Sequence, residues 1–185
     1  MVDDLLNDAK ARMAKSVEST HAELGSVRTG RASTSLLDRI QVDYYGTKTP
    51  LNQLAQIGVP DARMLTITPY DKGALKEIER AIQESDLGLT PANDGQLIRL
   101  PIPQLTEERR KDLVKVAKSI AEDGRVAVRN IRRDVVHHLK ELDRNGDAAA
   151  DDVHRAEDRT QKLTDEHVHR IDELLKAKEQ DILAV

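Results

Sequence analysis

Apolar residues recur at intervals of three and four through the start of the chain, at Leu6, Ala9, Met13, Val17, Leu24 and Val27. That period predicts an amphipathic helix over about 1–30, with one stripe to bury, stopping at Thr29-Gly30. The same period returns over 106–145 through Leu113, Ala117, Ile120, Ala127, Ile131, Val135, Leu139 and Leu142. It appears again over about 150–182 through Val153, Ala156, Leu163, Ile171, Leu174 and Ile182. Thr106 is placed to cap the second of these helices, with Glu107 and Glu108 in its electropositive first turn. Asn145-Gly146 supplies the stop, glycine suiting a left-handed C-terminal position. At 1.5 Å per residue the two longer helices span about 60 and about 50 Å, beyond the usual globular length. A lone helix leaves its stripe in water, so the three bury theirs together in an elongated bundle. Gly124 lies inside the second long helix, where it costs about 1 kcal/mol against Ala. Two explanations stand open for it, close packing or a weak point.

Between 31 and 104 the period changes. Ile40-Gln41-Val42-Asp43-Tyr44, Met64-Leu65-Thr66-Ile67-Thr68 and Leu97-Ile98-Arg99-Leu100 alternate as strands do. Gly46, Pro50, Pro60, Pro69, Pro91 and Pro101 punctuate them. One helix, over about 72–85, presents Leu75, Ile78 and Ile82 on one face. The expected class is α+β in two domains: an antiparallel three-helix bundle from 1–30 and 105–185, and a small β/α/β domain inserted at 31–104. The insert joins the bundle by two chain crossings. Gly30 and Arg31 mark one and Pro103, Gln104 and Leu105 the other, so a hinge is expected there, loosened by glycine on one side and stiffened by Pro101 and Pro103 on the other.

Composition narrows the chemistry. The 185 residues include no cysteine, tryptophan or phenylalanine, which removes disulfides, cysteine nucleophiles and thiolate metal sites. No apolar run approaches the length that crosses a bilayer, and Met1 is followed by acidic, amphipathic VDDLLNDAKA rather than a leader's basic start and apolar core. A cytoplasmic protein is expected. The phosphate-loop, dinucleotide, zinc-protease and serine-hydrolase signatures are all missing from the sequence. The six histidines, His21, His137, His138, His154, His167 and His169, are expected as ordinary helix residues rather than metal ligands or acid–base groups. The carboxylates are interleaved with bases, as a solvated salt-laced face is. Neither a catalytic residue nor a cofactor or metal is expected.

The formal net charge of −4 conceals a division. Residues 109–133 carry +6, through Arg109, Arg110, Lys111, Lys115, Lys118, Arg125, Arg129, Arg132 and Arg133 against three acids. Residues 134–185 carry −6. Arg125, Arg129, Arg132 and Arg133 share one edge of the helix, about 6 Å apart per turn, close to the spacing of successive phosphates. Arginine rather than lysine favours bidentate phosphate contact. Arg28 and Arg31 flank the break at Thr29-Gly30. The only aromatics, Tyr44, Tyr45 and Tyr70, lie in the insert, away from this edge, which argues against single-strand stacking. Shape and phosphate recognition of folded RNA remains, or an acidic protein partner bound by a coiled-coil adaptor with no RNA role.

Five stretches carry a family resemblance: VRTGRAS at 27–33, VDYYGTKTPLNQLA at 42–55, SDLGLTPANDG at 85–95, PQLTEERRKDLVK at 103–115 and VAVRNIRRD at 126–134. With the helix–insert–helix–helix order, the chain resembles the bacterial ribosome recycling factor family over its whole length. The resemblance implies an L-shaped, tRNA-sized monomer, with the bundle as one arm and the β/α/β domain as the other. It implies binding to the large ribosomal subunit and its ribosomal RNA after termination. With elongation factor G and that partner's GTP hydrolysis, it implies splitting of the ribosome into subunits. By motif match Arg129 and Arg132 are the first RNA-contacting residues, then Arg28 and Arg31, with Arg109, Arg110 and Arg133 in support. The insert is implied as the part on which the GTPase acts.

Overall fold

The structure, a computed structural model, describes residues 1–184. Three long helices are present: α1 (Val2–Gly25), α4 (Glu107–Asn145) and α5 (Ala150–Leu183). Between α1 and α4 lie strands β1 (Gln41–Tyr44) and β2 (Thr47–Pro50), a one-turn helix α2 (Leu51–Leu54), β3 (Ala55–Asp61), β4 (Met64–Pro69), α3 (Leu75–Gln83), β5 (Ala92–Asn93) and β6 (Ile98–Pro101). Short 3-10 turns occupy Thr34–Leu37 and Lys72–Ala74. The chain divides into two compact units, 1–24 with 115–179 and 25–114 with 180–185.

In the first unit the stripes bury together. Leu6, Ala9, Met13 and Val17 of α1 meet Ala121, Val128, Ile131, Val135 and Leu139 of α4 and Val153, Ala156 and Ile171 of α5. The caps follow from the residue types. Thr106 Oγ1 accepts the Arg109 amide at 3.1 Å, satisfying one of the free N–H groups that open α4. At the other end Gly146 is left-handed (φ 73°), its amide bonds Asp143 O, and the Asp147 amide bonds Leu142 O. Those paired reverse bonds close the helix as a Schellman motif.

The first helix ends at Gly25, short of the expected Thr29-Gly30, although Val27 is still buried, at 6% exposure. The burial periodicity therefore outran the helix. In α5 the interior is partly polar: Thr160, Thr164 and His167 are buried. Each satisfies itself within its own helix, Thr160 on Ala156 O, Thr164 on Thr160 O and His167 Nδ1 on Leu163 O. An apolar-period reading passes over such positions because the cost of burying them is cancelled locally.

In the second unit, β1 and β2 form a hairpin, and β3, β4, β6 and β5 form an antiparallel sheet in that order. Leu65 and Ile67 of β4 and Ile98 and Leu100 of β6 point to one side, where they pack with Leu75, Ile78 and Ile82 of α3. The expected single helix at 72–85 resolves into a 3-10 turn capped by Asp71, whose Oδ1 accepts the Gly73 amide at 2.9 Å, followed by α3. Strand β3 contains Gly58 and Pro60, which read as punctuation in the sequence. A Cβ at Gly58 would stand 2.8 Å from Thr66 Oγ1, so glycine permits the close β3–β4 approach. Pro60 falls within the register shift between Gly58 and Asp61, where a missing amide is tolerated. The turn after β3 also anchors the two chain crossings. The Ala32 amide bonds Ala62 O at 2.7 Å and the Ile102 amide bonds Arg63 O at 2.8 Å.

Candidate nucleic-acid interface

The cationic edge of α4 is divided by its partners. Arg125 is the most enclosed, its side chain 17% exposed, with Nε donating to Asp172 of α5 at 2.7 Å and Nη1 to Glu122 at 2.9 Å. Burial works against its charge, and the bonds from Asp172 and Glu122 outweigh that, holding its pKa above the ordinary arginine value. Arg125 is thus a clasp between α4 and α5. Arg129, one turn on, is exposed and reaches Glu122 only at 3.5 Å. Arg132 is half-buried and donates Nη1 to the neutral Gln161 Oε1 of α5 at 3.1 Å. Arg133 is exposed and bonds Asn130 Oδ1 on its own helix. Arg132 and Arg133 therefore carry charge that amide oxygens orient without neutralising, and a phosphate exchanges for such a partner more readily than for a carboxylate.

The other four candidates lie in the second unit. Arg28 is half-buried, and its Nε is buried with no hydrogen-bond partner. Burial, with the neighbouring Arg109 charge adding, pushes its pKa below the ordinary value. Two like charges and an incompletely bonded guanidinium make a locus that an anion would relieve. Arg31 is exposed, and its backbone is stapled by Thr29, whose hydroxyl donates to Arg31 O and accepts from Arg31 N, both at 3.2 Å. Arg109 is exposed and Arg110 half-buried in the first turn of α4. Of the residues expected at the crossings, Leu105 is buried at 6% exposure, Pro103 and Gln104 are exposed, and Gly30 has open space where a Cβ would stand.

Sequence spacing found the arginines and missed the groups that tune them. Glu122 stands three and seven residues before Arg125 and Arg129, a helical signal open to inspection. Gln161 and Asp172 come from a different helix, so only packing brings them in. Four of the six histidines are exposed beside acids of their own helices, His137 near Glu141 at 3.4 Å, His138 near Asp134 at 3.6 Å, His154 near Asp158 at 3.9 Å and His169 near Glu173 at 3.0 Å. Among the described residues no group of three or more His, Asp or Glu is placed to hold a metal ion. No described helix is long and apolar enough to cross a membrane.

A family model described as ribosome recycling factor matches residues 20–183. A ribosome-recycling factor of Bacillus licheniformis is 55% identical over 185 residues, covering all of both chains. A solution structure of the ribosome recycling factor superposes with a TM-score of 0.82 at 41% identity, covering 100% of this chain and 98% of that one. Models for the T. thermophilus ribosome recycling factor and the E. coli elongation factor G bound to the E. coli post-termination complex include a chain that matches with a TM-score of 0.72 at 46% identity, over 100% of both.

Proposed function

The chain belongs to the ribosome recycling factor family, and from that premise we propose that it binds the large subunit of the post-termination ribosome. There, with elongation factor G and GTP hydrolysis by that partner, it splits the ribosome into subunits. The observation that carries the reading is the α4 edge, where Arg132 and Arg133 bond neutral amides and Arg129 is exposed, with a long 3.5 Å contact to Glu122. Those three are the principal contacts to ribosomal RNA, and Arg28, Arg31, Arg109 and Arg110 form a second cationic locus. Arg125 contributes through its hold on Glu122 and α5 more than by touching RNA.

The work in this scheme is mechanical. No catalytic group or cofactor is needed in the chain, because the free energy comes from the partner's nucleotide. The protein acts in the cytoplasm as a monomer. The hinge is placed at 30–31 and 103–105, beside the Ala32 and Ile102 amides that bond the Ala62-Arg63 turn within the second unit. The splitting state must bind more tightly to the recycling machinery than the intact ribosome does, since only differential affinity shifts such an equilibrium. Sedimentation with purified large subunits at low and high salt tests the RNA surface. Co-sedimentation lost steeply as salt rises supports it, and salt-independent binding favours a protein-only adaptor.

A further inference from the structure

Four charges on the seam between α4 and α5 form one small network. Arg125 is held twice, by Asp172 at 2.7 Å and by Glu122 Oε2 at 2.9 Å. The other Glu122 oxygen, Oε1, lies 3.5 Å from Arg129 Nη1. Two arginines and two carboxylates sum to zero, so the network is neutral while Arg129 rests on Glu122. Among the described residues Glu122 is the one acid that reaches any of Arg129, Arg132 and Arg133, because Arg132 and Arg133 turn to the amides of Gln161 and Asn130.

The charge on Glu122 exceeds what the clasp at Arg125 needs. Asp172 alone neutralises Arg125, and an amide at position 122 would still accept the Arg125 Nη1 proton, as Gln161 does for Arg132. What the carboxylate adds falls on Arg129. A phosphate that takes Arg129 must draw it away from Glu122, exchanging one anion for another, so the acid opposes binding. The opposition is modest, because the Glu122 and Arg129 side chains are 53% and 47% exposed and water screens the pair. When a phosphate contact opens, the same carboxylate is in place to take the guanidinium back. Affinity differences of this kind within one interface lie mainly in the dissociation rate.

Resting on the reading of α4 as the ribosomal RNA surface, we propose that Glu122 is a positioning residue that competes with ribosomal RNA for Arg129 and so speeds release of the protein from the large subunit. It acts on the RNA-contacting arginine and not on the RNA. An edge shaped for affinity alone would carry glutamine at this position. A protein that must leave one ribosome to act on the next is served by the acid.

The test measures binding to purified large subunits by sedimentation, and the dissociation rate by chasing labelled protein with unlabelled. The variants are Glu122→Gln, Arg129→Ala, the two combined, and Asp123→Asn, which removes an exposed neighbouring charge that holds none of these arginines. Glu122→Gln should bind about twofold to fivefold more tightly, through slower dissociation, and should unfold at the wild-type temperature. Asp123→Asn, acting through space alone, should gain clearly less. In the Arg129→Ala background the gain from Glu122→Gln should fall to that lower level. Glu122→Gln that binds no more tightly than wild type, or leaves no more slowly, overturns the proposal. An equal gain from Asp123→Asn, or a full gain without Arg129, also overturns it, since the loss of any nearby negative charge would then suffice. A wild type that does not sediment with large subunits defeats the RNA reading instead, a result distinct from a binding wild type with an indifferent Glu122→Gln.

Discussion

Gly124 of α4 lies directly against Thr20 of α1. A Cβ built on Gly124 would collide with Thr20 Oγ1 and stand 3.1 Å from its Cγ2 and 3.2 Å from Ile171 Cδ1 of α5. At this glycine α4 lies close against both α1 and α5. Of the two explanations open from the sequence, close packing is the one the geometry supports. Helix propensity alone says that Gly124→Ala should stabilise by about 1 kcal/mol. Overpacking opposes it with a typical cost of about 1–3 kcal/mol, and the Thr20 hydroxyl cannot easily retreat because it donates to Ser16 O at 2.9 Å. Gly124→Ala is therefore expected to lower the urea midpoint, and adding Thr20→Ala should recover much of the loss. A stabilised single variant would show that the helices have room there.

Arg125 and its neighbours should separate stability from binding. Arg125→Ala leaves Glu122 and Asp172 without their shared cation, and a loss of about 1–2 kcal/mol in chemical unfolding is expected. Arg129→Ala and Arg133→Ala should stay within about 0.5 kcal/mol of wild type, since both side chains are exposed. Equal stability losses for all three would remove the distinction between clasp and contact.

For Arg132 the reverse pattern is expected. Arg132→Ala gives up one exposed hydrogen bond to an uncharged acceptor, Gln161, and should unfold within about 1 kcal/mol of wild type. Its affinity for large subunits should fall by about tenfold, with the salt slope of binding shallower by about one. Recycling and binding at wild-type levels would dismiss Arg132 as a phosphate contact.

Acid pH should weaken one tie between α1 and α4. Arg12 Nη1 donates to Asp134 at 2.7 Å, and that bond, with the nearby His138 and His137 adding, holds the Asp134 carboxyl below its ordinary pKa. A depressed carboxylate pKa contributes stability that is present above the unfolded value of about 4 and is lost as pH falls through the folded value. The pair is nearly half exposed, so about 0.5 kcal/mol is expected at most. Asp134→Asn should be less stable than wild type at pH 6, and the difference should close as pH drops below about 4. A gap that widened in acid would reverse the sign of this linkage.

The long helices were legible because Leu6, Met13, Val135 and Leu139 repeat at the helical period and nothing local competes with it. The caps at Thr106 and Gly146 were legible for the same reason, each being a local bond between near neighbours. What escaped was tertiary. Strands β2 and β3 carry Pro50, Gly58 and Pro60, whose meaning depends on edge position, a bulge and close approach to β4 rather than on local preference. The arginine edge was legible as residues but not as a site. Nothing in the spacing tells that Asp172 closes on Arg125 while Gln161 leaves Arg132 charged and open.

Light scattering of post-termination ribosomes mixed with this protein, elongation factor G and GTP addresses the whole account at once. Scattering should fall to the level of free subunits only when all three are present. It should stay high when GTP is withheld or when Arg129 and Arg132 are both replaced by alanine. Scattering that stays high with every component present, or falls equally without this protein, would contradict the assignment of subunit splitting to it.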